Sequence, residues 1–404
     1  MNTKLGAETA RAGLPRRSAI GFIVMVGLVS LFADMTYEGA RSITGPYLGL
    51  LGASATVVGL VAGCGELLGY AIRLLSGYLS DRTGRYWAIT IAGYAINVLA
   101  VPLIALADRW EIAAALIVAE RAGRGIRSPA RDAMLSHAAN QTGLGWGFGL
   151  HEALDQIGAV LGPLIVSAVL YFKGGYQAGF AMLAIPALLS IAVLLAAWRF
   201  YPRPRELDLA PPKLAPERLP RLFWLYVAGA AFVGAGFVDF PLIAYHFEKA
   251  SIVGAPWIPV LFAVAMATDA LAALVLGRLF DRVGMWTVLA ATALSLFAAP
   301  LAFLGGPAAA VIAMILWGIG MGAQESVMRA AIAPLAPADR RGTVYGIFHT
   351  VYGIAWFAGS ALLGVLYDQA IVALVAAAMV LQAMALPILL LVAQRAGRDT
   401  GRVA

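Results

Sequence analysis

Charge is what this chain has least of. Only 13% of its 404 residues are charged, whereas 61% are apolar. A soluble globular chain carries about 25% charged residues and about 45–50% apolar ones. A protein of this size that faced water would need more polar surface, so the composition argues against a soluble protein and predicts a membrane protein.

Several kinds of site are missing as well. Cys64 is the single cysteine and lies in an apolar run, which leaves no disulfide framework and no CxxC metal site. No HExxH, GxSxG or Walker loop occurs, which argues against a membrane enzyme and against ATP-driven transport by this chain alone. The net charge of +7 lies in short segments between apolar runs, as membrane topology requires. We therefore expect a lipid bilayer as partner, no nucleic acid and no cofactor.

Long apolar runs are abundant instead. A helix that spans lipid needs about 20 mostly apolar residues. Twelve runs fit, at 19–49, 55–79, 86–106, 111–135, 147–171, 177–198, 222–247, 256–278, 286–304, 308–334, 344–366 and 372–393. The first run contains charged residues and no clear small-residue cleavage site, so it is predicted to be a retained span and not a signal peptide. The first and seventh runs are overlong, which predicts tilt or extension beyond the bilayer.

A polar, proline-rich stretch, YPRPRELDLAPPKLAPERLPR, divides these spans into two sets of six. The fold class is therefore predicted to be an all-α membrane protein with twelve transmembrane helices in two pseudo-symmetric bundles. The predicted organisation is an N-tail at 1–18, a bundle at 19–198, a linker at 199–221, a bundle at 222–393 and a C-tail at 394–404.

Lysine and arginine are distributed unevenly between the two sets of loops. Most of the 29 lie in the tails, the linker and the loops that follow even-numbered spans. The loops on the other side hold only Arg109, Lys173 and Lys249. Because positively charged loops stay in the cytoplasm, both termini are predicted to be cytoplasmic.

The two halves also share sequence, since GYLSDRTGRYW in the first half is echoed by GRLFDRVGMWT in the second. Gly77, Leu79, Asp81, Arg82 and Gly84 recur as Gly277, Leu279, Asp281, Arg282 and Gly284. Glu120, Arg124 and Pro129 on the fourth span recur as Glu325, Arg329 and Pro334 on the tenth. Two tandem halves of the same topology imply a pseudo-twofold axis along the membrane normal.

With these motifs the chain resembles the major facilitator superfamily over essentially its whole length. GYLSDRTGR matches the family's loop signature between spans two and three, although Tyr86 stands where a second basic residue is common. RAGRG resembles the Arg-x-x-Gln-Gly motif of span four, with Arg124 in place of Gln, and GAVLGP resembles the first half of a motif frequent in exporters. RGIRSPARDAM looks like a subgroup of bacterial transporters. The resemblance implies alternating access in a bacterial cytoplasmic (inner) membrane, and we expect a monomer.

The repeated signature is interpreted as a conformational clasp at the cytoplasmic ends of the helices. A carboxylate at Asp81 can bond the exposed amides of a neighbouring helix N-terminus, and Arg85 can pair with Asp132. Such a clasp would hold the cytoplasmic side closed and would release in the inward-open state. The alternative is a hairpin turn with ordinary anchoring charges. The clasp residues are Gly77, Asp81, Arg82, Gly84, Arg85, Asp132, Gly277, Asp281 and Arg282.

Carboxylates are unexpectedly frequent within the spans. An ionised side chain at mid-bilayer costs about 2.5–3.5 kcal/mol on insertion scales, so these groups must face a wet cavity or one another. Asp34, Glu38 and Arg41 share one stripe of the first span. The nine are Asp34, Glu38, Glu66, Glu120, Glu152, Asp155, Asp239, Asp269 and Glu325.

The resemblance further implies that spans one, four, seven and ten line the central cavity. We expect Arg121 to point into it and to pair alternately with Asp34, with Glu325 and with substrate. A cavity with charges of both signs suits a charged or zwitterionic substrate and proton coupling; the alternative is a set of permanent ion pairs that fix packing. The candidate substrate-binding or proton-coupling residues are Asp34, Glu38, Arg41, Glu120, Arg121, Arg124, Asp239, Glu325 and Arg329.

Several functions compete. The leading hypothesis is a secondary transporter that exports a small solute in exchange for protons, and the runner-up is an importer that uses proton symport. His151 and Asp155 have the spacing of a metal pair but no third ligand in sequence reach, which disfavours metal transport. A receptor or assembly factor of transporter-like fold is neither supported nor refuted by the sequence.

The clasp generates a prediction for Asp81→Asn. The variant should fold and accumulate normally but turn over more slowly, because loss of the charge shifts the population towards the inward-open state. Transport rates of the two proteins at equal abundance check this. A normal rate would mean that the signature is only an anchor.

Overall fold

The computed structural model describes residues 16–139, 144–172, 174–202, 220–332 and 341–400. All regular elements in these ranges are helices, which confirms the predicted fold class. The beginning of the N-tail, most of the linker, the last four residues and Pro334 lie outside the described residues.

The first half consists of six spans, the last of them broken. They are α1 (Arg16–Leu50), α2 (Ala55–Thr83), α3 (Tyr86–Leu103, continued by a 3-10 turn at Ile104–Leu106), α4 (Trp110–Ala139), α5 (Leu144–Tyr171), α6a (Tyr176–Met182) and α6b (Ala184–Phe200).

The second half repeats this order with more breaks. It consists of α7a (Arg221–Gly236), α7b (Phe240–Lys249), α8 (Trp257–Val283), α9a (Trp286–Ser295), α9b (Ala298–Leu304), α10a (Pro307–Gly322), a π turn (Ala323–Val327), α10b (Met328–Ala330), α11 (Arg341–Gln369) and α12 (Ile371–Thr400).

Eleven of the spans in the described part are long and apolar enough to cross a membrane. The twelfth is α4, which is about 45 Å long at 1.5 Å per residue. Its charged residues lower its hydropathy, but Glu120 and Arg127 are buried inside the protein and do not face lipid. The charged residues of α4 therefore line a cavity inside the protein, so α4 can still cross the membrane.

The overlong seventh run is broken. Helix α7a ends at Gly236, and α7b begins after Asp239, with Pro241 in its first turn. Proline lacks the amide that would continue the helical hydrogen bonds. The seventh run therefore forms two helices in sequence, whereas α1 is continuous over 35 residues; the predicted tilt or extension of these two spans stays a prediction.

The repeated glycines end two equivalent helices. Gly84 and Gly284 have φ of 60° and 61°, and the amide of each closes the last turn of α2 and α8 respectively. A left-handed conformation at a helix C-terminus favours glycine because it has no β-carbon. Both signature glycines are thus explained by the backbone.

The halves pack closely on one side of the molecule. We call the side where α1 begins and α2 ends the termini face, and the other side the opposite face. Near the opposite face Gly45 of α1 packs on the carbonyl of Pro241 so closely that no β-carbon would fit, and Gly49 packs on the ring of Tyr245. Glycines here allow α1 and α7b to seal the seam.

Hydrogen bonds strengthen the same seal. Asp368 at the end of α11 accepts from the Thr56 amide at 2.8 Å and from its hydroxyl at 2.6 Å, at the start of α2. Ser167 of α5 donates to the Pro256 carbonyl at 2.7 Å. Within the described residues, the hydrogen bonds between halves lie at this face, so the space between the halves is closed here and opens towards the termini face.

The orientation in the membrane remains a prediction and can be checked by thiol labelling. In a Cys64→Ala background, cysteines at Ala210 and Ala404 should resist impermeant reagents in intact cells. A cysteine at Gly306, which is exposed at the opposite face, should react. Labelling in the reverse pattern would overturn the predicted topology.

Candidate functional site

Three neighbouring chambers lie among the spans and share Arg41 as a lining residue. The largest, the outer chamber, encloses about 850 Å³ including its mouth. It is lined by residues from both halves, and it contains six of the nine predicted site residues. These are Asp34, Glu38, Arg41, Arg124, Glu325 and Arg329.

The remaining predicted residues line an inner chamber of about 520 Å³, closer to the opposite face. These are Glu120, Arg121 and Asp239, together with Arg41 again. A third space of about 580 Å³, the central chamber, lies between α2, α10 and α11. Arg41 lines all three chambers.

Arg41 connects the halves through two carboxylates. Its guanidinium lies 3.7 Å from Glu38 on its own helix and 3.6 Å from Asp239 of α7. All three side chains are at least nine-tenths buried. The pair with Asp239 is the ion pair that joins the two halves among the described residues.

Asp239 is fixed from its own half as well. The indole nitrogen of Trp356 donates to it at 2.8 Å, and the hydroxyl of Ser360 donates at 2.6 Å. The break after Gly236 places this carboxylate at the start of α7b, where its backbone is extended. The broken helix therefore aims a buried negative charge at Arg41.

Arg121 has different partners from those predicted. It lies 3.0 Å from Glu66 of α2 and 3.3 Å from Glu120, and the amide of Asn97 donates to Glu120 at 2.7 Å. In this structure it pairs with neither Asp34 nor Glu325, and the predicted alternation between these carboxylates and substrate stays a prediction. The physical reason is packing, since Gly65 leaves room for the Arg121 side chain against α2.

Asp34 and Glu38 have only long ion-pair distances to arginine among the described residues. Asp34 lies 4.0 Å from Arg127, and Glu38 lies 4.0 Å from Arg124. The guanidiniums of Arg124 and Arg127 also face aromatic rings, that of Tyr37 at 4.6 Å in the case of Arg124. One oxygen of each carboxylate is buried without a hydrogen bond among the described residues. These carboxylates are incompletely compensated.

The predicted pair between Arg85 and Asp132 is not formed. Asp132 lies 2.8 Å from Arg131, its neighbour in α4, and Arg85 is exposed. The expected release of the clasp in a state open at the termini face is compatible with this, but the clasp stays a prediction.

Other clasp residues show similarly little contact between helices. Arg82 donates to the hydroxyl of Tyr78 at 3.3 Å, and Gly77 packs near Pro129. Gly277 has open space around it, and Asp281 and Arg282 are exposed. The side chain of Asp81 lies outside the described residues.

Two ion-pair partners are absent from the predicted site residues. Glu66 is one of the nine intramembrane carboxylates but lies on α2, which is not among the helices expected to line the cavity. Arg127, which is 1% exposed, lies on α4 at 4.0 Å from Asp34. The available signal was the charge itself, since an ionised residue in a span needs a partner.

His151 and Asp155 do have a third potential ligand beside them. Glu152 completes a group whose ligand atoms lie within 4.8 Å of one another, so the expectation that none was in reach is wrong. The imidazole, however, also contacts the hydroxyl of Ser30 at 2.9 Å, to which Arg131 donates at 3.3 Å. A guanidinium at this position disfavours a cation.

The Arg121 network generates a stability prediction. Arg121→Gln should lower the free energy of unfolding by roughly 3–5 kcal/mol, because it leaves two buried carboxylates uncompensated. Thermal unfolding in detergent measures this, with the exposed Arg109→Gln as a control expected to change little. Adding Glu66→Gln should recover part of the loss, whereas strictly additive losses would contradict the pairing.

Comparison with known proteins is consistent with this architecture. The Major Facilitator Superfamily model matches residues 24–360. An uncharacterized protein of Mycobacterium tuberculosis is 43% identical over 379 residues, which cover 92% of this chain and 93% of the relative. The class C tetracycline resistance protein of Escherichia coli is 34% identical over 149 residues, 36% of this chain and 37% of that protein.

A solved structure shares the fold. The crystal structure of a POT family transporter in complex with 5-aminolevulinic acid has a TM-score of 0.74 at 12% identity, and the match covers 93% of this chain and 96% of that one. The extent of the family match, with the paired bundles and the charged chambers between them, establishes that the chain belongs to the major facilitator superfamily and is a secondary transporter, not an enzyme.

Proposed function

We propose that this protein exports a small solute across the cytoplasmic membrane of a bacterium in exchange for protons, as a monomer with both termini in the cytoplasm. In this orientation the outer chamber opens to the cytoplasm. The observation that carries the proposal is the difference between tight and loose ion pairs in the chambers.

Tight pairs occur within the first half. Arg121 and Glu66 are 3.0 Å apart, and Arg131 and Asp132 are 2.8 Å apart, which are hydrogen-bonding distances. The pairs of Asp34, Glu38 and Asp239 with their arginines measure 3.6–4.0 Å. At such distances the charges attract but do not form direct hydrogen bonds. These ion pairs can therefore exchange partners at lower cost.

The cycle follows from where these pairs lie. Opening the opposite face requires that Arg41 leave Asp239 and that Thr56 leave Asp368, since both contacts cross between halves. A proton on a carboxylate near Arg41 would weaken its hold on the guanidinium. Protonation and the movement of the halves are thereby coupled through one arginine.

Two observations support export over import. GAVLGP on α5 resembles part of an exporter motif, and the tetracycline resistance protein resembles this chain over about a third of its length. Val166 and Ser167 stand where the motif has a glycine pair. An importer by proton symport is the alternative, because the same loose pairs serve either direction.

Everted membrane vesicles distinguish the two directions. With a solute selected by thermal stabilisation of the purified protein, an exporter should accumulate that solute inside everted vesicles whose lumen is acidified. The accumulation should disappear when the pH gradient is collapsed. Accumulation only in right-side-out vesicles placed in acidic medium would instead support import.

Asp34→Asn tests the coupling. The variant mimics the protonated carboxylate, so solute exchange should continue in proteoliposomes while accumulation driven by the pH gradient is lost. Glu111→Gln removes an exposed carboxylate of α4 and serves as control. Normal gradient-driven transport by Asp34→Asn would make this residue structural and would leave Asp239 and Asp269 as the next candidates.

A further inference from the structure

The central chamber contains charged groups that have no ion-pair partner within 4.0 Å among the described residues. Arg73 of α2 and Arg329 of α10 line it from opposite halves, and neither has a carboxylate oxygen within 4.0 Å among the described residues. The Nε atom of Arg73 is buried without a hydrogen bond. Unlike Arg41 and Arg121, these arginines have guanidinium groups outside any ion pair of the described residues, and a ligand anion can bind there.

An uncompensated carboxylate accompanies them. Glu325 lines the same chamber and forms no ion pair within 4.0 Å in the described part of the chain, although Arg329 follows it by one helical turn. It lies within the π turn at Ala323–Val327. Such turns interrupt regular helices frequently at functional sites, and here the turn carries Glu325 on the chamber wall.

The third component is a wall of aromatic rings on α11. Tyr352 and Trp356 line the chamber, with centroids 5.7 Å apart. The hydroxyl of Tyr352 donates a hydrogen bond to Gln324, and the indole N–H of Trp356 donates one to Asp239. Because the polar atoms of both side chains are already occupied, the surface left for a ligand is the ring.

A second stack joins the halves. The rings of Tyr70 on α2 and His349 on α11 are 5.6 Å apart at 15°, and the guanidinium of Arg73 lies 5.2 Å from the Tyr70 centroid. Nδ1 of His349 is buried without a partner among the described residues. The chamber thus has one apolar, planar wall and a polar side with charges of both signs.

We propose that the central chamber binds a zwitterion that carries a planar ring. Its carboxylate lies between Arg73 and Arg329, its ammonium group faces Glu325, and its ring packs on Tyr352 and Trp356. Two fixed guanidiniums suit a carboxylate, since each offers several donors in one plane.

The inference rests on the proposed function, because the ligand assigned to this chamber is the small solute that the protein is proposed to export. The other charged or titratable groups that share a chamber with Glu325 come from every neighbouring helix. They include Arg41, Glu66, Arg73, Arg124, Asp269 and His349.

Thermal stabilisation and binding titrations of the purified full-length protein test the assignment with two probe sets. The first comprises tryptophan, tryptamine and indole-3-propionate, which share a ring and carry both charges, only the cation or only the anion. The second comprises norfloxacin and nalidixate, a zwitterion and an anion. At equal concentration, at least one zwitterion should raise the unfolding midpoint more than each of its singly charged relatives.

Variants locate the binding. Arg73→Gln and Arg329→Gln should each weaken zwitterion binding roughly tenfold or more, whereas the exposed Arg278→Gln should not. Glu325→Gln should bind the zwitterion and its anionic relative about equally, a change in preference that a merely structural role would not produce.

Three outcomes would overturn the assignment. They are no shift with either zwitterion, equal shifts with the singly charged relatives, and undiminished binding in all three chamber variants. Binding is measured here without a proton gradient, so failure of export in everted vesicles and failure of zwitterion binding are distinguishable.

Discussion

A charge buried within a membrane has to be neutralised by the protein itself, and this constraint organises the space between the two halves. The idealised cost of moving an ion into a medium of low dielectric is of order 20 kcal/mol, so each carboxylate in the chambers must find a partner or a proton. Arg41 lies close to two of these carboxylates, Glu38 on its own helix and Asp239 across the seam. A movement of the halves that separates Arg41 from Asp239 therefore also changes how the charges of Glu38 and Asp239 are compensated.

The halves are also held together by close backbone contact near the opposite face. The seal between α1 and α7b is made of glycine against backbone carbonyl and ring, as at Gly45 and Gly49. Such a surface contributes close van der Waals contact without specific polar bonds. The directional contacts across the seam are few, namely those of Asp368, Ser167 and Arg41. A seam of this kind can open by breaking a small number of bonds.

Much of this architecture is predictable from sequence, because hydropathy identifies the spans and the repeat identifies equivalent turns. Twelve spans follow from apolar runs, and the left-handed turns at Gly84 and Gly284 follow from the repeated signature. The placement of all nine candidate residues on chamber walls follows from charge in apolar helices.

Partners of long side chains are harder to predict. Arginine reaches far enough to choose among several carboxylates, and the choice depends on which neighbouring helix leaves space. Arg121 turns to Glu66 because Gly65 makes room, a detail that one helix viewed alone does not contain. The break before α7b was likewise hidden, since Asp239 and Pro241 sit in a run whose hydropathy is continuous.

The π turn in α10 has a consequence for the symmetry of the two halves. A π turn holds one residue more than an α turn, so the residues of α10 beyond it are displaced by about 100° around the helix axis relative to an uninterrupted α-helix. Span four has no such turn among its described residues. Glu120 and Glu325 occupy equivalent places in the repeat but have different surroundings. Glu120 contacts Asn97 and Arg121, whereas Glu325 lines the central chamber. A single π turn is thus enough to place two repeat-related carboxylates in different surroundings.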